Sequence, residues 1–129
     1  MAPDSWQTAF DQLAQLKTTW PGTAWSWDGR FATVGSSFAL ALEPQALASA
    51  SRALPRSWDI KTLAEAPDAL RALATRTGGL RAQQRLFAGE QDALYGLWWP
   101  WGSGTTITLR IGITDGDTTT RLRTLFGVT

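Results

Sequence analysis

The sequence predicts an α+β fold, with one antiparallel sheet of about five strands flanked by N-terminal, middle and C-terminal helices, and three observations carry that expectation. Apolar residues between 4 and 20 recur every three or four positions, which is the helical period. From Leu80 onward the pattern changes to strict alternation, the period of a half-buried strand. Asp28-Gly29 and Gly102-Ser103-Gly104 each sit between apolar runs, where hairpin turns belong.

The first helix is expected over 4–20, with Trp6, Phe10, Leu13, Leu16 and Trp20 on one stripe. Asp4 and Gln7 resemble a capping box at its start, and Pro21-Gly22 ends it. AWSW-DG-RFATV then reads as a hairpin on a two-residue turn, with Trp27 opposite Arg30, Ser26 opposite Phe31 and Trp25 opposite Ala32. Gly35-Ser36-Ser37 is a place for a break or bulge, and the alanine-rich stretch 36–42 fits either strand or helix. Pro44 suits the first turn of a helix over 44–53, closed by Leu54-Pro55, while RSWDI at 56–60 is ambiguous. Pro67 starts a second middle helix over 67–77, with Leu70, Leu73 and Ala74 inward, and Gly78-Gly79 terminates it. A meander of strands at 80–88, 92–101 and 104–114 follows, and a helix over 118–126 buries Leu122, Leu125 and Phe126.

At 129 residues the chain has the length of a single domain spanning 1–129, large enough for a core without staples. Twelve basic and eleven acidic residues leave a formal charge of +1, so no overall field draws the chain to nucleic acid or an anionic membrane. There is no cysteine and no histidine, which removes disulfides, thiolate chemistry, imidazole bases and the usual zinc sites. The N-terminal residues lack the pattern of a signal peptide, and no apolar run approaches the ~18 residues of a membrane span. A cytoplasmic protein without membrane insertion is expected.

The meander decides the candidate site. With a three-residue loop at 102–104, Trp101 opposes Thr105, Trp99 opposes Ile107, Leu97 opposes Leu109 and Tyr95 opposes Ile111, forming one apolar face. The second face then carries Leu94, Trp98, Arg110, Arg81, Arg85 and Phe87. Either the helices of 44–77 cover that face and Trp98 is core, as most tryptophans in small domains are, or the face is open as an interface rich in Trp and Arg. The burial of Trp98 distinguishes the two.

No catalytic motif is present. Asp115 and Asp117 in TDGDTTT match only the start of a calcium loop, because no downstream glutamate follows, and a turn explains them. Glu90 and Asp92 are ordinary turn acids that could also act as an acid/base pair. Ser36-Ser37 has no nucleophile elbow, and Gly102-Ser103-Gly104 is no phosphate loop. No catalytic residue, cofactor site or metal site is therefore expected.

In their order, SWQTAFDQL at 5–13, WDGRFATVGSSF at 27–38 and ALYGLWWPWGSGTTITLRIGI before a final helix resemble the roadblock/longin-like (profilin-like) domains. That resemblance implies a homodimeric adaptor associated with a small GTPase and without catalytic residues of its own. The residues themselves favour a non-catalytic protein-interaction module with a protein partner or a second copy of itself. Two alternatives are a small-ligand-binding domain with a pocket of Trp25, Trp27, Trp99 and Tyr95, and a divergent carboxylate-based enzyme. Nucleic acid ranks below these, since the basic residues are scattered.

Overall fold

A computed structural model describes residues 6–102, 104–114 and 116–128, except for the side chains of 116 and 117. The capping acid Asp4, Ser103 of the second turn, and the Asp115 and Asp117 side chains of the calcium-loop reading lie outside the described residues.

The chain runs α1 (Gln7–Thr19), β1 (Ser26–Asp28), β2 (Thr33–Ala39), α2 (Glu43–Ala53), β3 (Arg56–Trp58), α3 (Asp68–Arg76), β4 (Arg85–Ala88), β5 (Leu94–Pro100), β6 (Thr106–Ile113) and α4 (Gly116–Phe126). The strands form one antiparallel sheet in the order β1-β2-β6-β5-β4-β3. Six strands replace the expected five because RSW at 56–58 pairs with β4, Ser57 opposite Phe87. Gly35-Ser36-Ser37 neither breaks nor bulges β2, whose pairing with β6 runs unbroken from Thr33 to Ala39. The stretch 36–42 divides at Ala39, strand before it and a single 3-10 turn, Leu40–Leu42, after it.

Alternation sends successive residues to opposite faces of the sheet. On the first face, α1, α2 and α4 enclose Val34, Phe38, Leu109, Ile111, Phe87 and Trp98. A chain of ring contacts crosses this core: Phe126 to Trp25 at 4.6 Å, Trp25 to Trp20 at 5.3 Å, Trp20 to Phe38 at 5.3 Å, Phe38 to Trp98 at 5.1 Å and Trp98 to Phe87 at 5.6 Å. Each such pair adds about 0.5–1.5 kcal/mol beyond the area it buries. The Trp20 indole N–H also donates to Ser36 Oγ at 2.8 Å, which satisfies a buried polar atom on an otherwise dry face.

On the second face, α3 lays Leu70, Leu73 and Ala74 against Leu86, Tyr95 and Leu97. Both expected hairpin registers are corrected. The first turn is residues 29–32, with Trp27 opposite Val34 and not Arg30. Asp28 acts as the turn's acceptor: its carboxylate takes the N–H groups of Arg30 at 2.9 Å and Phe31 at 3.4 Å, and Ala32 adopts φ 54°. In the second turn Trp101 N–H donates to Thr106 C=O at 2.9 Å, so the loop is 102–105 rather than 102–104. Trp98 therefore faces Leu109, Leu97 faces Arg110 and Trp99 faces Thr108. This shift by one residue exchanges the faces of β6 relative to β5. β4 starts only at Arg85, because Gln83 turns the chain with φ 72° and Gln84 N–H closes onto Arg81 C=O at 3.1 Å.

Candidate functional site

The corrected register separates the residues that the sequence had grouped. Trp98, at 1% exposure, lies in the first-face core with Phe87 and Leu94, each covered as completely. These three residues belong to the packing and leave no open surface. Arg85 is exposed at the start of β4, with its backbone opposite Trp98. Arg110 points to the other face of the sheet, and Arg81 is exposed in the turn before β4 on that same side. The six candidates therefore do not share one face.

The second face gathers two of the candidates, Arg110 and Arg81, with residues the sequence had not grouped with them, Asp28, Phe31, Trp99 and Trp101. Its half over β4 and β5 lies under α3. Over β6, β2 and β1, the strands carry Thr108, Arg110, Gly35, Ser37 and Asp28, while Gly112 lies under Tyr95 at the edge of the covered half. Among the described residues no helix crosses the half over β6, β2 and β1; side chains roof it instead. Arg110 lies over Gly35, where an added Cβ would stand 3.4 Å from its guanidinium, an ordinary contact distance.

Arg110 is held from several sides. Its Nη1 donates to Asp28 Oδ2 at 2.7 Å, with both side chains largely covered. Its guanidinium stands 5.4 Å from the Trp99 ring and 5.8 Å from Phe31, and those two rings meet edge to face at 5.4 Å. Arg30 stacks on Phe31 from outside at 5.0 Å. Asp28 thus has two functions, forming the turn that positions Phe31 and anchoring Arg110.

Trp101 borders the patch and is 54% exposed, the most of any large apolar residue described. Its indole N–H donates to Thr108 Oγ1 at 2.7 Å, and Thr108 shares a 2.7 Å hydrogen bond with Ser37 Oγ. A ring anchored this way presents its apolar area with little rotamer freedom left to lose on binding. A concavity of about 370 Å³ opens among Phe31, Trp99, Trp101, Arg30, Arg81 and Arg110. Among the described residues, Arg30 and Arg81 form no salt bridge. Arg110 Nε and Thr33 Oγ1 are, among the described residues, buried side-chain polar atoms without a protein partner, and both belong to this face.

The other chemical readings find structural explanations. Asp92 pairs with Arg56 at 2.8 Å, and Arg56 also caps Gly89 C=O, so this acid ties β3 to the turn after β4. The Asp59 carboxyl is held below its ordinary range, first by the N–H of Lys61 and further by the N–H and hydroxyl of Thr62. Burial raises the Tyr95 phenol above its usual value, and the charge of Arg76 opposes that shift in part. Trp25 and Trp27 pack on the first-face core and Tyr95 and Trp99 on the second, so the four rings cannot line one pocket. No cluster of three or more acidic, histidine or cysteine side chains suited to a metal occurs among the described residues, and none of their helices is long and apolar enough to cross a membrane.

Phe31 and Trp99 were the hardest members of this site to find from the sequence, since both depend on hairpin register. Asp28 offered one signal, because an acid preceding Gly is as much a side-chain cap for a longer turn as the first residue of a tight one. Compared with known proteins, the chain matches no family model, no curated protein and no solved structure.

Proposed function

We propose that this chain is a cytoplasmic, non-catalytic protein-interaction module, and that the open half of its second sheet face receives an acidic segment of a partner protein. The observation that carries this reading is Trp101, an exposed ring fixed by Thr108 beside Arg30, Arg81 and Arg110. Trp and Arg are the residue types that most often supply binding energy at protein interfaces. The charge indicates the partner's chemistry: three arginines against Asp28, already committed to Arg110, leave a local excess of positive charge. An acidic stretch with an apolar residue for the concavity complements it.

The test is an NMR titration of the labelled chain with a peptide of alternating glutamate and leucine, beside a lysine–leucine control and oligo(dT). The expected result is salt-sensitive shifts of the Trp99 and Trp101 indole N–H signals with the acidic peptide alone, lost in Arg81→Glu. Shifts with oligo(dT) but not the peptide would transfer the face to single-stranded nucleic acid. The same face could instead be covered by a second copy, the homodimer implied by the roadblock-like order of elements. Light scattering across concentration then gives a dimer that Trp101→Glu dissociates, and such a dimer would overturn the acidic-segment reading.

A further inference from the structure

The charges of the second-face concavity are unequal. The guanidiniums of Arg30, Arg81 and Arg110 line it against one carboxylate, Asp28, and three positive charges against one negative leave +2. Both oxygens of Asp28 are engaged: Oδ2 accepts from Arg110 Nη1 at 2.7 Å, and Oδ1 accepts the N–H groups of Arg30 at 2.9 Å and Phe31 at 3.4 Å. Arg110 is thereby matched, and the excess resides on Arg30 and Arg81. Both are exposed, and neither guanidinium meets a carboxylate among the described residues. Arg30 stands in the turn between β1 and β2, and Arg81 in the segment between α3 and β4. Trp99, on β5, lies between those two connections in the strand order, so the free charges reach one opening from either side of that strand.

The walls between the two arginines are aromatic. Phe31 and Trp99 meet edge to face at 5.4 Å, and Trp101 adds an exposed ring held by Thr108. Gly78 and Gly79 form part of the rim, with no atom within 4 Å of the place a Cβ would take, so no side chain narrows the entrance there. A single carboxylate brings half of the charge that this opening leaves unmatched. A phosphomonoester carries close to −2 near neutral pH and offers three acceptor oxygens, enough for two separate guanidiniums. Carried on an aromatic ring, it also brings a π face that three rings can pack against. Phosphoserine supplies the charge without the ring, and glutamate supplies neither the second charge nor the ring.

We infer, resting on the proposal that this face receives an acidic segment, that the segment docks through a phosphotyrosine: its ring lies among Phe31, Trp99 and Trp101, its phosphate between Arg30 and Arg81. Phosphorylation of the partner then switches the interaction on. The test is an NMR titration of the intact labelled chain with the glutamate–leucine peptide, its central residue varied among tyrosine, phosphotyrosine and phosphoserine. The phosphotyrosine peptide is expected to bind at least about tenfold more tightly than the tyrosine peptide, and about fivefold more tightly than the phosphoserine one. The chain has no histidine, and the peptides share their glutamates. The advantage over tyrosine should therefore shrink as pH falls from about 7.5 to about 5, through the second phosphate pKa near 6. Arg30→Gln with Arg81→Gln, both exposed, should bring the phosphotyrosine peptide down to the level of the tyrosine one. Arg85→Gln, outside this concavity, should leave the ratio unchanged. Equal affinities of the tyrosine and phosphotyrosine peptides would overturn the inference and leave the docking surface standing, whereas no shift with any peptide would remove both. Phosphoserine binding as tightly as phosphotyrosine would overturn the role of the ring. Adenosine monophosphate binding more tightly than every peptide would overturn the protein source of the phosphate in favour of a small molecule.

Discussion

Trp98 and Trp99 are adjacent in the chain and belong to different regions of the molecule. Trp98 joins a face that three helices cover, where its ring interlocks with Phe38 and Phe87. Trp99 joins a face that a helix covers only in part, and its neighbours are Phe31 and a guanidinium tied to a carboxylate. The first face provides the greater part of the burial that holds the fold. The second holds Asp28, Arg110 and Thr108 in places where packing alone would use aliphatic residues, which is what the proposed recognition surface requires.

The sharpest break between the two faces is a pair of truncations. Trp98→Ala empties the centre of the aromatic chain and is expected to cost about 3–5 kcal/mol. Trp101→Ala removes a half-exposed ring and one hydrogen bond, and is expected to cost about 1 kcal/mol or less. Urea midpoints with unchanged slopes measure both. Equal losses would mean that the second face also carries the fold and would remove the reason to read it as a recognition surface.

The same adjacency shows what the sequence could and could not reveal. The helices were legible because each has one apolar stripe and a Pro or Gly at its boundary: Leu70, Leu73 and Ala74 behind Pro67, or Phe10, Leu13 and Leu16 ahead of Pro21. Both hairpins were legible as hairpins but not in register. In the first, the partner of Trp27 moves from Arg30 to Val34, an even displacement that leaves every face as expected. In the second, the partner of Trp99 moves from Ile107 to Thr108, an odd displacement that exchanges the faces. β6 alternates clearly, but β5 is buried on both sides from Leu94 to Trp98, so its own pattern cannot choose between the two registers. Turn length decides, and a Gly-Ser-Gly turn accommodates either length. The candidate surface was built on that one undetermined residue.

Two glycines on the second face sharpen the contrast between its halves. Tyr95 lies directly over Gly112, so Gly112→Ala forces the ring and α3 outward, at about 1–3 kcal/mol. Gly35 lies under Arg110, where an added methyl stands at ordinary contact distance, and Gly35→Ala is expected within about 0.5 kcal/mol of the parent. Thermal midpoints of the two variants compare the covered half with the open half; a large loss at Gly35 would show that the open half is packed as rigidly. Asp28→Ala follows in size. It removes an acceptor from the turn and uncovers a largely buried guanidinium, for about 1–2 kcal/mol. Asp92→Ala breaks an exposed pair and should cost under about 1 kcal/mol.

The smallest effect separates the halves by proton rather than by methyl. Without histidine or cysteine, no side chain has an ordinary pKa between about 4.5 and 10, so stability should be flat across that range. At the acid end, the native Asp59 carboxyl titrates below its unfolded value. The unfolded chain takes up the proton first, and stability present above about pH 4 is lost as pH falls through the native value. At the alkaline end, burial holds the native Tyr95 phenol above its usual value of about 10. The unfolded chain releases its proton first, and stability is lost as pH rises beyond that point. Tyr95 belongs to the half under α3. Urea midpoints from pH 3 to 11 in the parent and in Tyr95→Phe check this. The substitution should remove part of the alkaline decline and leave the acid limb unchanged. An alkaline limb identical in both would show that the covered half is indifferent to the phenol beneath α3.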